Sequence, residues 1–571
     1  MTRLYGDPAD FAEDQLAGFV DLYRDRLRGV PGGVVALPSG PPQVAVIVGG
    51  GSGHYPAFAG LVGPGFATGA VVGNIFTSPS AARVYSVAKA AHQGRGVVLS
   101  FGNYAGDTMN FGIAAERLRK EGIDTRIVVV TDDIASAAEE QFRRGIAGDF
   151  AVFKVMGAAA ASGIDLDEVE RLGRAANAAT RTLGVAFSGC TMPGANEPLF
   201  TVPAGHLGLG LGIHGEPGIR DEPMPTAVDL AHTLVHSVLA AAPATAARKR
   251  VAVILNGLGT TKYEELFLLW GHVAPLLREA GYTAVDVEVD EIVTSLDMGG
   301  CSLTLMWLDD ELETHWQADA YTPGYRKQKA PLLNIDITLE HGYTAEVLAK
   351  GAPDSSAAGR ELAGLAARGL LAMQSSLHEH EQRLGDIDAI AGDGDHGRGM
   401  VKGIDAAVAA STAACSDATG VAWLLQRSGQ AWAEEAGGTS GVLWGAALEA
   451  AGTVLTDDRD RYLPSDIVAG AEAFLEAIVD LGGATIGDKT MVDALIPFVD
   501  ELRARVANGE SMQSAWRAAS VIATVAAANT AVLTPKLGRA RPLAVKSIGT
   551  PDAGATSLAL LATALGAMTN S

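Results

Sequence analysis

The sequence predicts a multidomain protein in which an α/β region is followed by an all-α region. From about residue 40 to 340, Val/Ile-rich runs alternate with helical stretches, and several runs end in Gly, Asn or Asp. This rhythm is typical of α/β layers with a substantially parallel sheet. From about residue 356 the strand-like runs disappear, and Ala/Leu-rich segments with helical spacing replace them. The chain has 571 residues, which is too long for a single hydrophobic core.

The individual elements are predicted from local composition. The β-rich runs expected to form strands are residues 43–48, 96–100, 125–131, 251–255 and 283–289. The segments expected to be helical in the second region are residues 359–381, 400–414, 431–455, 465–481 and 511–530. Small and polar residues at 350–359 are typical of a linker. We therefore predict domains at residues 1–345 and 359–571, joined by a linker at 346–358.

Composition argues against several classes of protein. The chain has 66 Asp and Glu residues against 43 Lys and Arg, a net charge of −23 that disfavours binding to nucleic acid and anionic membranes. Cys190, Cys301 and Cys415 lie far apart without metal-ligand spacing, as is ordinary in a reducing compartment. No apolar run approaches the roughly 20 residues of a membrane helix, and no signal segment is evident. We expect a soluble cytoplasmic protein.

Three glycine-rich loops of the first region are candidate ligand sites. Residues 48–54 read Val-Gly-Gly-Gly-Ser-Gly-His, in which glycines permit close backbone approach beside His54, although a tight turn explains them too. Asp107, in the loop 102–107, could accept a hydroxyl proton or could cap the next helix. His214 lies among glycines at 208–218, where a neutral imidazole can attack a carbonyl carbon. Metal binding by His214 is disfavoured, because no second histidine has suitable spacing.

An acidic loop at residues 386–397 is the strongest single signal. Four carboxylates occupy ten positions, at Asp386, Asp388, Asp393 and Asp395, with glycines around the last two. Carboxylates at this density repel one another unless a cation neutralises them, and they suit magnesium or calcium. The spacing does not match an EF-hand. A solvated acidic loop is the alternative.

Further glycine loops at 437–441, 482–491 and 551–556 are candidate phosphate sites. At 437–441 the loop opens an Ala-rich helix, where backbone N–H groups and two hydroxyls could bind a phosphate. Ordinary N-capping explains Thr439 and Ser440 equally well. None of these loops is a Walker motif, so no P-loop fold is implied.

Taken together and in this order, these segments resemble the single-chain, ATP-dependent dihydroxyacetone kinase family over nearly the whole chain. The most specific segments are residues 49–54, 103–107, 210–218, 392–397 and 551–557. The resemblance implies a ketose-binding α/β domain of two α/β subdomains, followed by an all-α helical barrel that binds the nucleotide. It also implies ATP and Mg²⁺ as cofactors and, by analogy with the family, a homodimer.

The resemblance further implies roles for individual residues. His214 would form a covalent hemiaminal with the substrate carbonyl, and Asp107, with His54 nearby, would deprotonate or orient the attacking hydroxyl. The implied substrate-binding residues are Gly51, Ser52, Gly53, His54, Gly102 and Asp107. The implied magnesium ligands are Asp388, Asp393 and Asp395, whereas Asp386 lies outside the family pattern. The implied ATP contacts are His396, Gly397, Arg398, Gly399, Thr439, Ser440, Gly483, Thr490, Asp552, Ala553 and Gly554.

Departures from the family pattern are concentrated in the substrate region. Tyr55 and Phe58 stand where the family usually has Glu and His, and Gly102 stands where it usually has Lys. A vacated lysine side chain would admit one more hydroxymethylene carbon, and family members that act on the four-carbon ketose erythrulose are known. In the second region, Lys489 replaces a common Arg, and the dipeptide 541–542, Arg-Pro, replaces a usual Ser-Tyr.

We therefore expect a kinase that converts erythrulose to erythrulose 4-phosphate with ATP, and plain dihydroxyacetone kinase is the first alternative. A phosphotransferase-system member with bound ADP as relay is disfavoured, because both domains are fused in one chain. A non-catalytic ketose-binding regulator is disfavoured by the intact set of Asp388, Asp393 and Asp395. A cyclising lyase activity on flavin adenine dinucleotide stays open as a side reaction.

Overall fold

The computed structural model describes residues 2–244, 246, 248–328, 352–436, 438–537 and 544–568. The chain forms two compact units, residues 1–336 and 337–571. The predicted linker at 346–358 lies partly outside the described residues. The first helix of the second unit begins at Ala357.

The first unit is an α/β structure, and its bounds are as follows. Its strands are β1 Leu27–Val30, β2 Gly33–Ala36, β3 Ala45–Ser52, β4 Gly69–Ile75, β5 Val97–Gly102, β6 Thr125–Val130, β7 Thr180–Ser188, β8 His206–Leu209, β9 Arg220–Pro223, β10 Arg250–Gly257, β11 Thr283–Asp290, β12 Gly299–Trp307, β13 Ala320–Tyr321 and β14 Arg326–Lys327. Its helices are α1 Phe11–Leu22, α2 Ala81–Ala91, α3 Ala105–Lys120, α4 Gly148–Ala161, α5 Leu166–Ala178, α6 Ala227–Ala240, α7 Tyr263–Glu279 and α8 Asp310–Trp316, with short 3₁₀ turns at Ala59–Leu61 and Glu140–Phe142.

The first sheet has the parallel core that the sequence predicts. Its strand order is β1-β2-β4-β3-β5-β6, and β3 pairs in parallel with β4 and β5, as β5 does with β6. Alternate residues of β3 face two different layers. Val46 and Val48 pack in the core that includes α4 and α5, whereas Ala45 and Ile47 pack with α2 and α3. Because β3 and β5 are parallel, the loops that follow them emerge at the same edge of the sheet, where such sheets bind ligands.

The second sheet contradicts the expectation of a substantially parallel sheet. Its order is β11-β10-β12-β7-β8-β9, and β10 with β11 is its parallel pair, while the other pairs are antiparallel. Strands β7, β8 and β9 follow one another without an intervening helix, and such strands pair as antiparallel neighbours. Two sheets, each flanked by helices, confirm the pair of α/β subdomains that the resemblance implied.

The second unit is helical throughout its described residues. Its helices are α9 Ala357–Asp388, α10 His396–Ser416, α11 Val421–Ala436, α12 Gly438–Leu455, α13 Pro464–Gly482, α14 Val492–Ala507, α15 Met512–Asn529, α16 Ala544–Ser547 and α17 Ala553–Ala567. The segment predicted as helical at 431–455 is divided between α11 and α12. Gly438 has a φ of 58°, which a continuous right-handed helix does not allow.

Eight of the described helices close into a ring, which confirms the helical barrel. Each of α9 to α15 contacts the next, and α17 contacts both α15 and α9. The ring encloses a cavity of about 570 Å³ lined mainly by apolar side chains, Trp444, Phe474 and Phe498 among them. Among the described residues, no helix is both long and apolar enough to cross a membrane.

The barrel topology brings distant loops together. Neighbouring helices joined by short connections run antiparallel, so every second connection lies at the same end of the ring. The connections α9–α10, α11–α12, α13–α14 and α15–α17 therefore share one end. These four connections and the helix ends that border them contain all the ATP and metal candidates of the sequence.

The packing of α4 against the segment that precedes β4 provides a stability test. A side-chain carbon at Gly157 of α4 would lie 2.3 Å from the carbonyl oxygen of Phe66, so Gly157→Ala requires the helix to move. We expect this overpacking to destabilise the unit by about 1–3 kcal/mol, seen as a lower thermal midpoint.

The matched control is Gly112→Ala on α3, where no described atom lies within 4 Å of the new carbon. Alanine favours a helix over glycine by about 1 kcal/mol, so this midpoint should stay or rise. Equal midpoints for the two variants would contradict the packing argument.

Candidate active site

The first candidate site lies at the edge of the first sheet where β3 and β5 end. β3 extends to Ser52 and is followed directly by Gly53 and His54. β5 ends at Gly102, and α3 begins three residues later, which places Asp107 in its first turn. The structure therefore brings the two loops that the sequence singled out to one edge of the sheet.

His214 reaches this edge from the second sheet. It follows β8, and its Nε2 atom lies 3.1 Å from Nε2 of His54. The Nδ1 atom of His54 lies 2.7 Å from the carbonyl oxygen of Thr294, and Nδ1 of His214 lies 2.8 Å from Oε1 of Glu216. Since those oxygens can only accept, both Nδ1 atoms carry protons. If both rings were neutral, both Nε2 atoms would be unprotonated acceptors and could not hydrogen-bond to each other. The Nε2–Nε2 hydrogen bond therefore requires one additional proton, which the two rings share.

Burial determines which of the two rings is the hydrogen-bond acceptor. Removal from water, followed by repulsion from a charged His214, lowers the pKa of His54 to about 3. His54 is therefore the neutral acceptor of the pair. Its ring is held by Thr294 and stacks on Phe76 at 5.1 Å, so its Nε2 atom has a fixed direction.

Glu216 orients His214 and was not identified from the sequence. Its Oε2 atom also accepts the backbone N–H of His214 at 3.0 Å, and Arg144 lies 3.8 Å away. Burial alone would raise the pKa of Glu216, but the hydrogen bond and charge of His214 lower it to about 2. An ionised Glu216 thus keeps Nε2 of His214 directed at His54. A carboxylate two residues after a candidate nucleophilic histidine was a signal that the sequence offered.

Asp107 has the surroundings of a proton acceptor. Burial raises the pKa of Asp107 to about 6, while a hydrogen bond from Ser78 and the charge of His214 oppose the increase. The Ser78 hydroxyl donates to Oδ1 of Asp107 at 2.8 Å. The N-cap of α3 is Tyr104, so the capping role considered for Asp107 has no support. A carboxyl group with a pKa near neutrality is well matched to general base catalysis.

The substrate loop is shaped by its glycines and by aromatic side chains. A side-chain carbon at Gly51 would lie 2.6 Å from the nitrogen of Thr77, and Gly53 has a φ of 103°, so neither position tolerates a side chain. The Ser52 hydroxyl is buried and has no hydrogen-bond partner among the described residues. Phe58 lies 6.4 Å from His54, ring to ring. The replacement at position 58 thus adds an apolar wall beside His54.

Gly102 does not leave an open space at its own position. A side-chain carbon there would lie 3.3 Å from Cε2 of Tyr104 and 3.0 Å from the carbonyl oxygen of Gly145. The ring of Tyr104 lies 5.1 Å from that of His214. Part of the room expected from the missing lysine is therefore filled by the Tyr104 ring.

The second candidate site is a carboxylate triad in the barrel. Oxygen atoms of Asp388, Asp393 and Asp395 all lie within 4.8 Å of one another. The backbone N–H of Gly394 donates to Asp388 at 2.8 Å, which holds the loop around that carboxylate. Asp386 instead accepts a hydrogen bond from Gln382 at 2.7 Å. Three convergent carboxylates fit a hard divalent cation such as Mg²⁺.

The nucleotide candidates surround the same end of the barrel. His396 Nε2 lies 3.0 Å from the Ser557 hydroxyl, which connects the start of α10 with α17. Asp552 caps α17 by accepting the Ala555 N–H at 2.7 Å, and burial raises its pKa to about 6. A side-chain carbon at Gly554 would lie 3.5 Å from Cβ of Met491, so the residue that precedes α14 comes close to this group. Ala553 also belongs to this group, because its backbone hydrogen-bonds with His396. The topology places the remaining candidates at the same end, namely Arg398, Gly399, Thr439, Ser440, Gly483 and Thr490.

Two of the glycines have roles in the backbone. A side-chain carbon at Gly397 would lie 2.0 Å from the carbonyl oxygen of Glu381, so this residue lets α10 approach α9. Gly483 ends α13 in the left-handed conformation with a φ of 63°. Both roles exist without a nucleotide.

Lys489 connects two loops at this end of the barrel. Its buried ammonium group donates to the Ser547 carbonyl at 2.6 Å, the Ser547 hydroxyl at 3.2 Å and the Leu533 carbonyl at 3.2 Å. The departure from arginine thus preserves a cationic donor. The other departure, at residues 541–542, lies outside the described residues.

Comparison with known proteins finds two family models in this chain. The Dak1 domain matches residues 17–324, and the DAK2 domain matches residues 390–567. A D-erythrulose kinase of Mycolicibacterium smegmatis is 59% identical over 98% of this chain and 97% of its own length. An L-erythrulose kinase of Pectobacterium atrosepticum is 51% identical over 100% of this chain and 97% of its own. The structure of the C. freundii dihydroxyacetone kinase in complex with AMP-PNP and Mg²⁺ matches with a TM-score of 0.58 and 29% identity, covering 99% of each chain.

The contacts of Lys489 predict a stability effect. Lys489→Met removes the donor from two carbonyl oxygens, and each buried acceptor without a partner costs about 1–3 kcal/mol. We expect a clearly lower thermal midpoint for the full chain.

Lys536→Met is the control, because Lys536 is 62% exposed and pairs with Asp488 at 2.9 Å. An exposed ion pair contributes at most about 1 kcal/mol, so that variant should unfold close to the parent midpoint. A Lys489→Met protein as stable as the parent would show that the three hydrogen bonds contribute little.

Proposed function

The chain belongs to the dihydroxyacetone kinase family, and on this premise we propose that it transfers the γ-phosphate of ATP to a terminal hydroxyl of erythrulose, giving erythrulose 4-phosphate. The observation that carries ketose binding is the Nε2 atom of His214, which Glu216 orients from behind and which faces His54 at 3.1 Å. The choice of erythrulose is supported by the relatives of 59% and 51% identity that bear the name erythrulose kinase.

Ketose capture follows from the histidine pair. Nε2 of His214 gains a free electron pair when the shared proton moves transiently to His54, and it can then bond to the carbonyl carbon. Because burial lowers the pKa of His54 to about 3, His54 gives this proton up readily. The electron pair of the C=O π bond moves to oxygen, which takes the proton from His54, and the product is a hemiaminal whose His214 ring carries a positive charge beside Glu216. Glu216 stabilises the positive charge that the attacking ring develops at Nδ1. A polyol has no carbonyl and cannot be held in this way.

Phosphoryl transfer requires a base and a neutralised phosphate. Asp107 accepts the proton of the terminal hydroxyl that attacks the γ-phosphate. Asp388, Asp393 and Asp395 would hold Mg²⁺, which offsets phosphate charge when it is bound. The similar C. freundii enzyme, solved with AMP-PNP and Mg²⁺, supports both ligands for this chain. The ATP contacts that we propose are those named from the sequence, His396 and Asp552 among them.

Dihydroxyacetone kinase is the second candidate, since the C. freundii enzyme matches across 99% of the chain. A regulator without catalysis would not need the triad of Asp388, Asp393 and Asp395. Relay through bound ADP and cyclisation of flavin adenine dinucleotide are tested by activity with free ATP and with that dinucleotide. The homodimer and the cytoplasmic location stay predictions.

The acceptor is tested by ADP release from Mg-ATP with dihydroxyacetone, D-erythrulose, L-erythrulose and glycerol. We expect an erythrulose enantiomer to give the highest kcat/KM and glycerol to be inactive. Because His214→Ala loses the covalent positioning of the substrate, its kcat/KM should fall by about 100-fold or more. His236→Ala, at an exposed histidine of α6, is the control and should retain activity.

A preference for dihydroxyacetone would overturn the choice of erythrulose and leave a ketose kinase. If no ketose stimulates ADP release, the kinase proposal fails and a regulatory role becomes the better explanation.

The pKa of Asp107 predicts the pH dependence of the reaction. The base must be ionised, so kcat/KM should rise with pH and level off above about pH 6, where the carboxyl group loses its proton. The Ser78 hydrogen bond stabilises the ionised form and lowers this pKa. Ser78→Ala should therefore move the rising limb to higher pH.

Ser80→Ala is the matched control, because Ser80 caps α2 by accepting the N–H of Arg83. Its pH profile should equal that of the parent. If the rise of kcat/KM with pH occurs at the same pH in Ser78→Ala as in the parent, Asp107 is not the titrating group.

A further inference from the structure

Two buried polar groups beside the C-terminal end of β5 have no hydrogen-bond partner among the described residues. They are the hydroxyl of Tyr104 and the Oδ1 atom of Asp149. Asp149 as a whole is only 5% exposed. A buried polar group without a partner costs about 1–3 kcal/mol, so native proteins contain few of them. Two such groups, one of them on a ring that lies 5.1 Å from that of His214, indicate a ligand that supplies the missing hydrogen bonds.

The backbone at Gly102 and Gly145 places the two groups in one neighbourhood. A side-chain carbon at Gly145 would lie 2.9 Å from Oδ1 of Asp149 and 2.5 Å from Cα of Gly102. A side-chain carbon at Gly102 would lie 3.3 Å from the Tyr104 ring, which itself lies 5.1 Å from the His214 ring. Asp149 is in the first turn of α4, so a rigid helix fixes its position.

The charges of this neighbourhood define the class of ligand. Burial, together with repulsion from Asp132 and Asp107, raises the pKa of Asp149 well above its ordinary value. Burial likewise raises the pKa of Tyr104, although Arg144 opposes the increase. Glycine at position 102 offers no cation to pair with Asp149. A neutral carboxyl and a neutral phenol each donate and accept a hydrogen bond, which fits an uncharged hydroxyl and not a phosphate.

We infer that Tyr104 and Asp149 form the subsite for the additional hydroxyl that distinguishes a four-carbon ketose from dihydroxyacetone, an inference that rests on the proposed erythrulose kinase activity. In the proposed reaction the carbonyl carbon bonds to His214 and the phosphate acceptor contacts Asp107. Dihydroxyacetone has one further hydroxyl, for which the buried Ser52 hydroxyl offers a partner. A tetrulose has two, and Tyr104 with Asp149 accounts for the second. These residues thus determine specificity and take no part in bond making.

The test compares kcat/KM for erythrulose and for dihydroxyacetone in Tyr104→Phe and Asp149→Leu. Each variant removes a group that would hydrogen-bond to the additional hydroxyl of erythrulose, which dihydroxyacetone lacks. The ratio of kcat/KM for erythrulose to kcat/KM for dihydroxyacetone should therefore fall by about 10-fold or more. Asp149→Asn should restore much of the ratio, since an amide also donates and accepts. The control is Tyr325→Phe, because the hydroxyl of Tyr325 already has a partner and donates a 2.6 Å hydrogen bond to Glu288. That control should lower the thermal midpoint without changing the ratio.

Thermal unfolding provides a readout that a purely structural role would not give. The Tyr104 hydroxyl makes no hydrogen bond to lose, so Tyr104→Phe should unfold at or above the parent midpoint without ligand. The rise in midpoint that erythrulose produces should be smaller in this variant than in the parent. If Asp149→Leu fails to fold, Tyr104→Phe still carries the test.

In a parent enzyme that prefers erythrulose, two outcomes would overturn the subsite. Parallel losses for both ketoses would show a general structural role, and an unchanged ratio would show that the orphan groups bind only water. A parent that prefers dihydroxyacetone instead overturns the proposed function, and the subsite with it.

Discussion

The 3.1 Å contact between the Nε2 atoms of His54 and His214 depends on both sheets of the first unit. His54 follows β3 of the first sheet, whereas His214 follows β8 of the second. The oxygens that orient them, on Thr294 and Glu216, also belong to loops of the second sheet. A shared apolar core holds the two sheets rigidly in this relative position, because residues of both sheets and of α4 pack in one cluster. The site is therefore a product of sheet packing more than of either loop alone.

Burial then sets the charge state of the site. It lowers the pKa of His54 and raises that of Asp107, and both shifts favour the neutral form. Glu216 is the exception, because the hydrogen bond and charge of His214 outweigh its burial. One fixed negative charge thus lies behind the nucleophile, His54 is neutral, and Asp107 is ionised only above about pH 6. Such an arrangement suits addition to a carbonyl, in which positive charge develops on the attacking ring.

The sequence was informative where function depends on a local segment. The loops after β3 and β5, the histidine among glycines and the triad of aspartates are each contiguous, so composition and spacing reveal them. Thr294 and Ser78 were missed because they meet His54 and Asp107 across 240 and 29 residues, and no periodicity connects such pairs. The antiparallel second sheet was missed for a related reason, since β7 and β12 are buried along most of their lengths and show no clear alternation. Glu216 is different, because it lay within a segment already singled out.

The barrel solves an electrostatic problem that the whole chain imposes. A protein with a net charge of −23 repels a polyphosphate, so positive potential must be supplied locally. At one end of the barrel, Asp388, Asp393 and Asp395 converge within 4.8 Å, which is costly without a cation and favourable with one. The N-termini of α10, α12 and α17 lie at the same end, where unpaired N–H groups favour anions. A cation held by the triad and these helix ends would together outweigh the surface charge, and this explains why an acidic loop and glycine-rich helix starts occur together at one end.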